Sequence, residues 1–380
     1  MREPKMRIKL LVFALLTFAG ASPAKAQVNQ ALDIAIPEAP HILRVGAADQ
    51  LVYELHLTNF SSLPLRLDRL SIADDTGAPL KSYADDELAK ATGLVGPAEA
   101  DTRIIPPGRR AVLYINAPVA AASAPRSISH GFTLGKIGGD GASFTLSGGA
   151  ATPDTTALSR LSPPLRGGPW VAVYDPGMER GHRRVFYATE GSATLPGRFA
   201  IDWMKVDANG KLSSGDADNP ANHYGYGAEV LAVADGTVVA LRDDVPDPAT
   251  RSGRANPSIA DASGNYVMLD IGGGRIATYE HLKQGAPVAV GDRVKAGEVV
   301  GFLGFTGQAS APHLHFHLAD RAAILGAEGQ PYVLSSLVSL GQYPSIEAFG
   351  RGEKWPAANA PKTVRDSLPP PNLVVRFPGE

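Results

Sequence analysis

The stretch Ala311-Pro312-His313-Leu314-His315-Phe316-His317-Leu318 constrains this chain more than any other. Apolar and polar residues alternate through it, and side chains on a β-strand point to opposite faces with period two. It therefore reads as a strand with Leu314, Phe316 and Leu318 toward a core and His313, His315 and His317 together on the opposite face. Three imidazoles on one face have little use in packing. A neutral imidazole offers one lone pair to a metal and one N–H to a supporting partner, and near its ordinary pKa it also moves protons. A solvated strand face is the plainer alternative, so the rest of the chain is read for groups that these histidines can work with.

Metal chemistry here must use nitrogen and oxygen donors, because the 380 residues include no cysteine. That excludes disulfides, thiolate zinc ligands and a cysteine nucleophile, and leaves His, Asp and Glu, the donors typical of catalytic zinc. The length suffices for two domains that each bury a core. With 41 glycines, 31 prolines and 7% aromatic residues, the composition suits short strands joined by many turns. At the N-terminus, Arg2, Lys5, Arg7 and Lys9 precede an apolar run over 10–21 and the small-x-small site Ala24-Lys25-Ala26. This is the pattern of a signal peptide over 1–26, so export to the periplasm or beyond is expected. The apolar run is too short for a stable membrane span, and no later segment approaches one. Cleavage removes five basic residues and one acidic residue and takes the net charge from −2 to −6. A mildly acidic chain has no broad bias toward nucleic acid.

In chain order, alternating segments at 51–57, 63–70, 111–115 and 128–134 predict an antiparallel β-sandwich over 27–147, with a short helix near 85–92. His56 and His130 fall in it, with no carboxylate at ligand spacing. Residues 148–180 carry Pro153, Pro163-Pro164, Gly167-Gly168-Pro169 and Pro176-Gly177, the composition of a linker. A second β unit follows over 181–345. Asp235-Gly236 predicts a hairpin between 229–233 and 237–239, and Gly272-Gly273-Gly274 predicts another between 266–271 and 275–279. The polar run 243–263 reads as a surface loop, and 346–380 as a poorly packed Pro-rich tail. The fold class is all-β.

Six segments of the second unit occur together in a telling order. They are Gly225-Tyr226-Gly227-Ala228-Glu229-Val230, Ala234-Asp235-Gly236, Tyr279-Glu280-His281-Leu282, Gly291-Asp292-Arg293-Val294-Lys295-Ala296-Gly297, Gly304-Phe305-Thr306-Gly307 and Pro312-His313-Leu314-His315-Phe316. Over roughly 198–318 the chain resembles the M23 family of zinc metallopeptidases, the LytM or lysostaphin type that cleaves peptidoglycan. The resemblance implies an antiparallel β-sheet domain with a groove, zinc as cofactor, and a peptide of peptidoglycan or of another protein as substrate. It also implies that Asp202 and His315 are zinc ligands and that His281 and His313 are catalytic, acting on the attacking water and the oxyanion. Zinc held by three protein ligands keeps a water whose pKa falls toward about 7.

One position departs from the family pattern. Arg198 stands where the first zinc histidine is expected, in Arg198-Phe199-Ala200-Ile201-Asp202. A guanidinium has only donors and cannot ligate a cation, though it can pair with Asp202. Three histidines are candidates to replace the ligand: His182, His223 and His317. His182 ranks first, because its setting beside Arg183 and Arg184, with the 198–203 run, resembles an exported subgroup that has arginine at the same place. Two functions follow. One is an exported zinc metalloendopeptidase hydrolysing peptidoglycan cross-links. The other is a catalytically degenerate domain that binds peptidoglycan or activates another cell-wall hydrolase.

Overall fold

A computed structural model of the chain describes residues 32–379 except 98, 121–123 and 139–140. The signal segment expected at 1–26 lies outside them. The N-terminal unit is a sandwich of two five-stranded antiparallel sheets, one built on Ala48–Asn59 and Arg110–Pro118, the other on Leu65–Asp74 and Ile128–Lys136. The expected helix is present as Asp85–Ala91. Ala48–Asn59 explains how the two units meet. Leu51, Tyr53, Leu55 and Leu57 enter the sandwich core, while period two turns Val52, Glu54 and His56 the other way. Val52 joins the core of the second unit, and Glu54 and His56 are also buried. One strand thus serves two cores.

The second unit is organised by an eleven-stranded sheet. At its centre, Ile276–Leu282, Leu314–Ala319, Ile201–Lys205, Gly167–Val173 and Leu373–Phe377 are neighbours in that order, all antiparallel. The hairpin across Gly272-Gly273-Gly274 forms as expected. The one across Asp235-Gly236 does not. Glu229–Leu231 pairs with Val299–Phe302, and Gly236–Arg242 pairs with Asn265–Asp270 and Arg293–Val294. Asp235 turns its carboxylate outward to accept from the Ala296 amide at 3.0 Å and the Lys295 ammonium at 2.8 Å, so this turn is tied to the 295–298 loop instead of closing on itself.

Two segments read from composition as loose are integral to this sheet. The expected linker 148–180 contains Gly167–Val173, a central strand whose Trp170 and Val171 are fully buried. Pro169 falls within a register irregularity between Gly167 and Trp170, where a missing N–H costs no regular ladder bond. The expected tail 346–380 contains Leu373–Phe377, paired on both sides, and Ala357–Val364 at the sheet edge. The Pro369-Pro370-Pro371 run dominates its composition, but Leu373-Val374-Val375 behind it is a run of buried strand residues. The tail also ties the units together, since the Leu368 amide donates to the Arg44 carbonyl at 2.9 Å and the Gly46 amide to the Leu368 carbonyl at 2.9 Å. No helix among the described residues is long and apolar enough to cross a membrane.

His56 sits at this junction, edge-on to Phe186 with ring centroids 5.7 Å apart. Burial, reinforced by the charge of Arg110, pushes its pKa down to about 4. Between that value and the ordinary ~6.5, the unfolded chain binds the proton and the folded chain does not, so acidification through this window removes stability. The melting temperature is expected to fall between pH 6.5 and 4 by more in the wild type than in His56→Gln. Equal falls would show that His56 is not held neutral.

Candidate active site

Strand register builds the floor of the site. Asp202 lies opposite His315 on one side, and Glu280 lies opposite His315 on the other. The three residues form a transverse row across neighbouring strands, where directly opposed side chains stand ~4.5–5.5 Å apart on one face. The flanking Leu314, Phe316 and Leu318 are fully buried on the core face, as their alternation requires. His315 Nδ1 is 2.9 Å from Asp202 Oδ1, and its Nε2 is 3.2 Å from His317 Nδ1.

His281 reaches the same pocket by a break in that alternation. It follows Glu280 and would ordinarily face away. Asn265 pairs with Leu282 and Tyr266 with Glu280, so His281 is an extra residue in the ladder, a bulge. Its φ is +61°, a left-handed conformation that costs a non-glycine residue of order 1–3 kcal/mol and that clusters at functional sites. Its amide donates to the Ser263 carbonyl at 3.0 Å, outside the ladder. The ring Nδ1–H donates to the Thr306 carbonyl at 2.9 Å, and that of His313 to the Ala311 carbonyl at 2.7 Å. A carbonyl only accepts, so each ring carries a proton on Nδ1; the His281 Nε2 is left for the pocket, while that of His313 lies 3.4 Å from Asp202 Oδ1. The two rings lie 4.7 Å apart.

His182 completes the cluster. It opens the short 3-10 turn His182–Arg184, and its Nε2 is 3.2 Å from Asp202 Oδ2. Its ring meets that of His315 edge-on at 4.7 Å. The turn packs on a second one, Pro196–Phe199, at Gly197. A Cβ on Gly197 would lie 2.9 Å from the His182 carbonyl oxygen and 3.0 Å from its Cβ, so only glycine permits this approach.

Arg198 is nowhere near a pairing with Asp202. The chain is turned through Pro196–Phe199 and enters its strand only at Ile201, so positions 198 and 202 do not share a strand face. The guanidinium is buried against the sandwich instead. Nε donates to Glu54 Oε2 at 2.7 Å, Nη2 pairs with Glu328 at 2.9 Å, and Nη1 donates to the Gly329 carbonyl at 3.1 Å. The other oxygen of Glu54 accepts from Arg183 Nε at 2.7 Å. Burial alone would raise the Glu54 pKa, but the two guanidiniums outweigh it and hold the carboxyl below its ordinary range. Removing one partner of such a buried pair typically costs ~3–5 kcal/mol.

The other two substitute candidates separate. His223 hydrogen-bonds the Ala217 carbonyl at 3.0 Å and does not line the pocket. His317 does line it, nearly fully buried, with Nδ1 3.7 Å from Glu280 and Nε2 without a partner. Among the described residues two groups therefore have the spacing to hold a metal: His182, Asp202 and His315, and Glu280, His315 and His317, with ligand atoms within 4.8 Å in each. Both need His315, and a neutral imidazole has one lone pair, so they are exclusive for a simple imidazole ligand. The first group better fits a catalytic metal. Both offer two nitrogens and a carboxylate, but in the shared pocket of about 360 Å³ the side chains of His182 and Asp202 are 29% and 20% exposed, against 2% and 10% for His317 and Glu280. Burial raises the Asp202 pKa, but His182 and His313 more than reverse this and keep the carboxyl well below its ordinary value.

The catalytic candidates differ in charge. Burial, with the neighbouring His313 and His315, holds His281 well below its ordinary pKa and neutral. For His313 burial acts downward, but the charge and hydrogen bond of Asp202 prevail and raise it. One imidazole is thus kept as a base and its neighbour biased toward the acid form. Glu280 belongs to the quoted Tyr-Glu-His-Leu segment, yet its place in the site was not assigned from sequence. Strand alternation puts 280 and 281 on opposite faces, and nothing short of the bulge brings both to the pocket.

Residues 222–326 match the family model described as Peptidase family M23. Glycyl-glycine endopeptidase ALE-1 of Staphylococcus capitis is 36% identical over 105 residues, covering 26% of this chain and 25% of that protein. Peptidoglycan DD-endopeptidase ShyC of Vibrio cholerae is 43% identical over 54 residues, covering 14% and 12%. The chain thus spans about a quarter or less of the curated relatives it matches. Among solved structures, the catalytic domain of lysostaphin from Staphylococcus simulans aligns with 43% of this chain and 88% of its own, at 21% identity and a TM-score of 0.24. The matched region contains Glu280, His281, His313, His315 and His317, while His182, Arg198 and Asp202 precede it. The chain carries a peptidase family M23 domain.

Proposed function

We propose that this chain is an exported zinc metalloendopeptidase that hydrolyses peptide cross-links of peptidoglycan, with zinc held by His182, Asp202 and His315. The observation that carries this reading is the exchange at the first ligand. Where Arg198 has withdrawn into the domain junction, His182 brings an imidazole nitrogen to 3.2 Å from Asp202. The donor set is the two-nitrogen, one-carboxylate type that leaves a position open for substrate or water. When bound, zinc supplies Lewis acidity and lowers the pKa of a water toward about 7. His315 would hold the metal with the nitrogen that faces Asp202, Nδ1, which would leave its single proton on Nε2, 3.2 Å from His317 Nδ1 as acceptor.

Around that centre the two remaining histidines divide the proton work. His281 presents its Nε2 lone pair and takes a proton from the attacking water. His313, in its protonated form, donates to the carbonyl oxygen as charge develops and then to the leaving amine. The peptidoglycan endopeptidases among the relatives support the choice of substrate, and the basic–apolar–small pattern of 1–26 supports export.

Purified full-length protein at neutral pH is expected to contain one zinc per chain, and His182→Ala or His315→Ala to lose more than the ~10–100-fold in affinity typical of indirect changes. A wild type without stoichiometric zinc contradicts the reading. His313→Ala should keep its zinc while release of new amino termini from purified peptidoglycan drops by ~10²–10⁴-fold. A zinc-loaded wild type that releases none would make the groove a binding or activating module. Gly197→Ala, which pushes His182 away, should weaken zinc binding by about tenfold in chelator competition, and an unchanged affinity would separate His182 from the metal.

A further inference from the structure

The three proposed ligands are not held equally. Asp202 and His315 stand on paired strands in the middle of the large sheet. His182 stands on a turn of three residues that belongs to no sheet and has no side-chain cap. That turn is tied to the sandwich by the next two residues, Arg184 donating to the Lys90 carbonyl and Arg183 making the larger share of the bonds. Arg183 is buried and donates to Glu54, to the Tyr53 carbonyl at 2.9 Å, to the Ile115 carbonyl at 3.1 Å and to the Asn116 side chain at 2.9 Å, all in the sandwich. The turn beneath His182 is fixed in the same way, through Arg198 on the second oxygen of Glu54.

We propose that Glu54 of the N-terminal sandwich is a positioning residue for the metal site, clamping both arginines and thereby holding His182 against Asp202; this rests on the zinc reading above. One carboxylate joins the residue after His182 to the arginine that replaces the usual ligand. The sandwich is then part of the site's construction, and the loss of a ligand at 198 is compensated by a clamp that uses Arg198 itself. Removing the clamp should free His182 selectively and leave Asp202 and His315 in register.

The test uses the full chain. Glu54→Gln keeps the size of the side chain but removes its charge and sets an amide against a guanidinium. Zinc affinity, measured by chelator competition well below the melting temperature, should fall by ~10–100-fold, to a value between those of wild type and His182→Ala. The visible spectrum of the cobalt-substituted variant should shift toward that of His182→Ala. A role confined to stability would lower the melting temperature and leave affinity and spectrum unchanged, which overturns the proposal. If Glu54→Gln does not fold, Arg183→Lys carries the same expectations, since it keeps the charge beside Glu54 but gives up the fork to the Tyr53 and Ile115 carbonyls. Absence of zinc from the wild type would instead refute the metal reading itself.

Discussion

The site depends on one register. Asp202 pairs across from His315, and Glu280 pairs across from His315 on the other side. A slip of one residue along Leu314–Ala319 would turn every histidine into the core and every leucine out, so the burial of Leu314, Phe316 and Leu318 enforces the alignment of the polar row. The apolar face of the strand is thus what aims its chemical face.

Regular sheet geometry nevertheless brings only part of the site together. The remaining residues come from local departures: a bulge with left-handed backbone at His281, and two short turns that bring His182 over Gly197. Each departure is held by polar bonds away from the ladder, to the Thr306 and Ser263 carbonyls in one case and to the sandwich in the other. The domain junction acquires a chemical role in this way. Its buried Glu54, Arg183 and Arg198 satisfy one another, and the arginine that breaks the family pattern is occupied there, so its charge is not spent on Asp202.

The histidine strand was legible from alternation alone, and the family resemblance supplied His281, Asp202 and the question posed by Arg198. The sandwich strands were legible for the same reason, Ala48–Asn59 included, although its two faces serve two cores. The contact of His182 with Asp202 was only a ranked candidate, because it depends on Arg183 reaching Glu54, 129 residues away, and no local pattern encodes that pairing. Trp170-Val171-Ala172-Val173 and Leu373-Val374-Val375 were hidden by neighbouring glycines and prolines. Those residues mark the turns and irregularities at the ends of buried strands as readily as they mark linkers, and composition does not distinguish the two. Glu280 was missed because strand periodicity assigns it the face opposite His281.

The central claim is that His182 replaces the ligand absent at 198. Anomalous diffraction at the zinc edge, from crystals of the full-length protein grown with zinc, tests it most directly. The account predicts one peak within ~2.0–2.2 Å of His182 Nε2, an Asp202 carboxylate oxygen and His315 Nδ1. A peak coordinated by Glu280, His315 and His317 with His182 outside the coordination sphere, or no peak in the pocket, would contradict it.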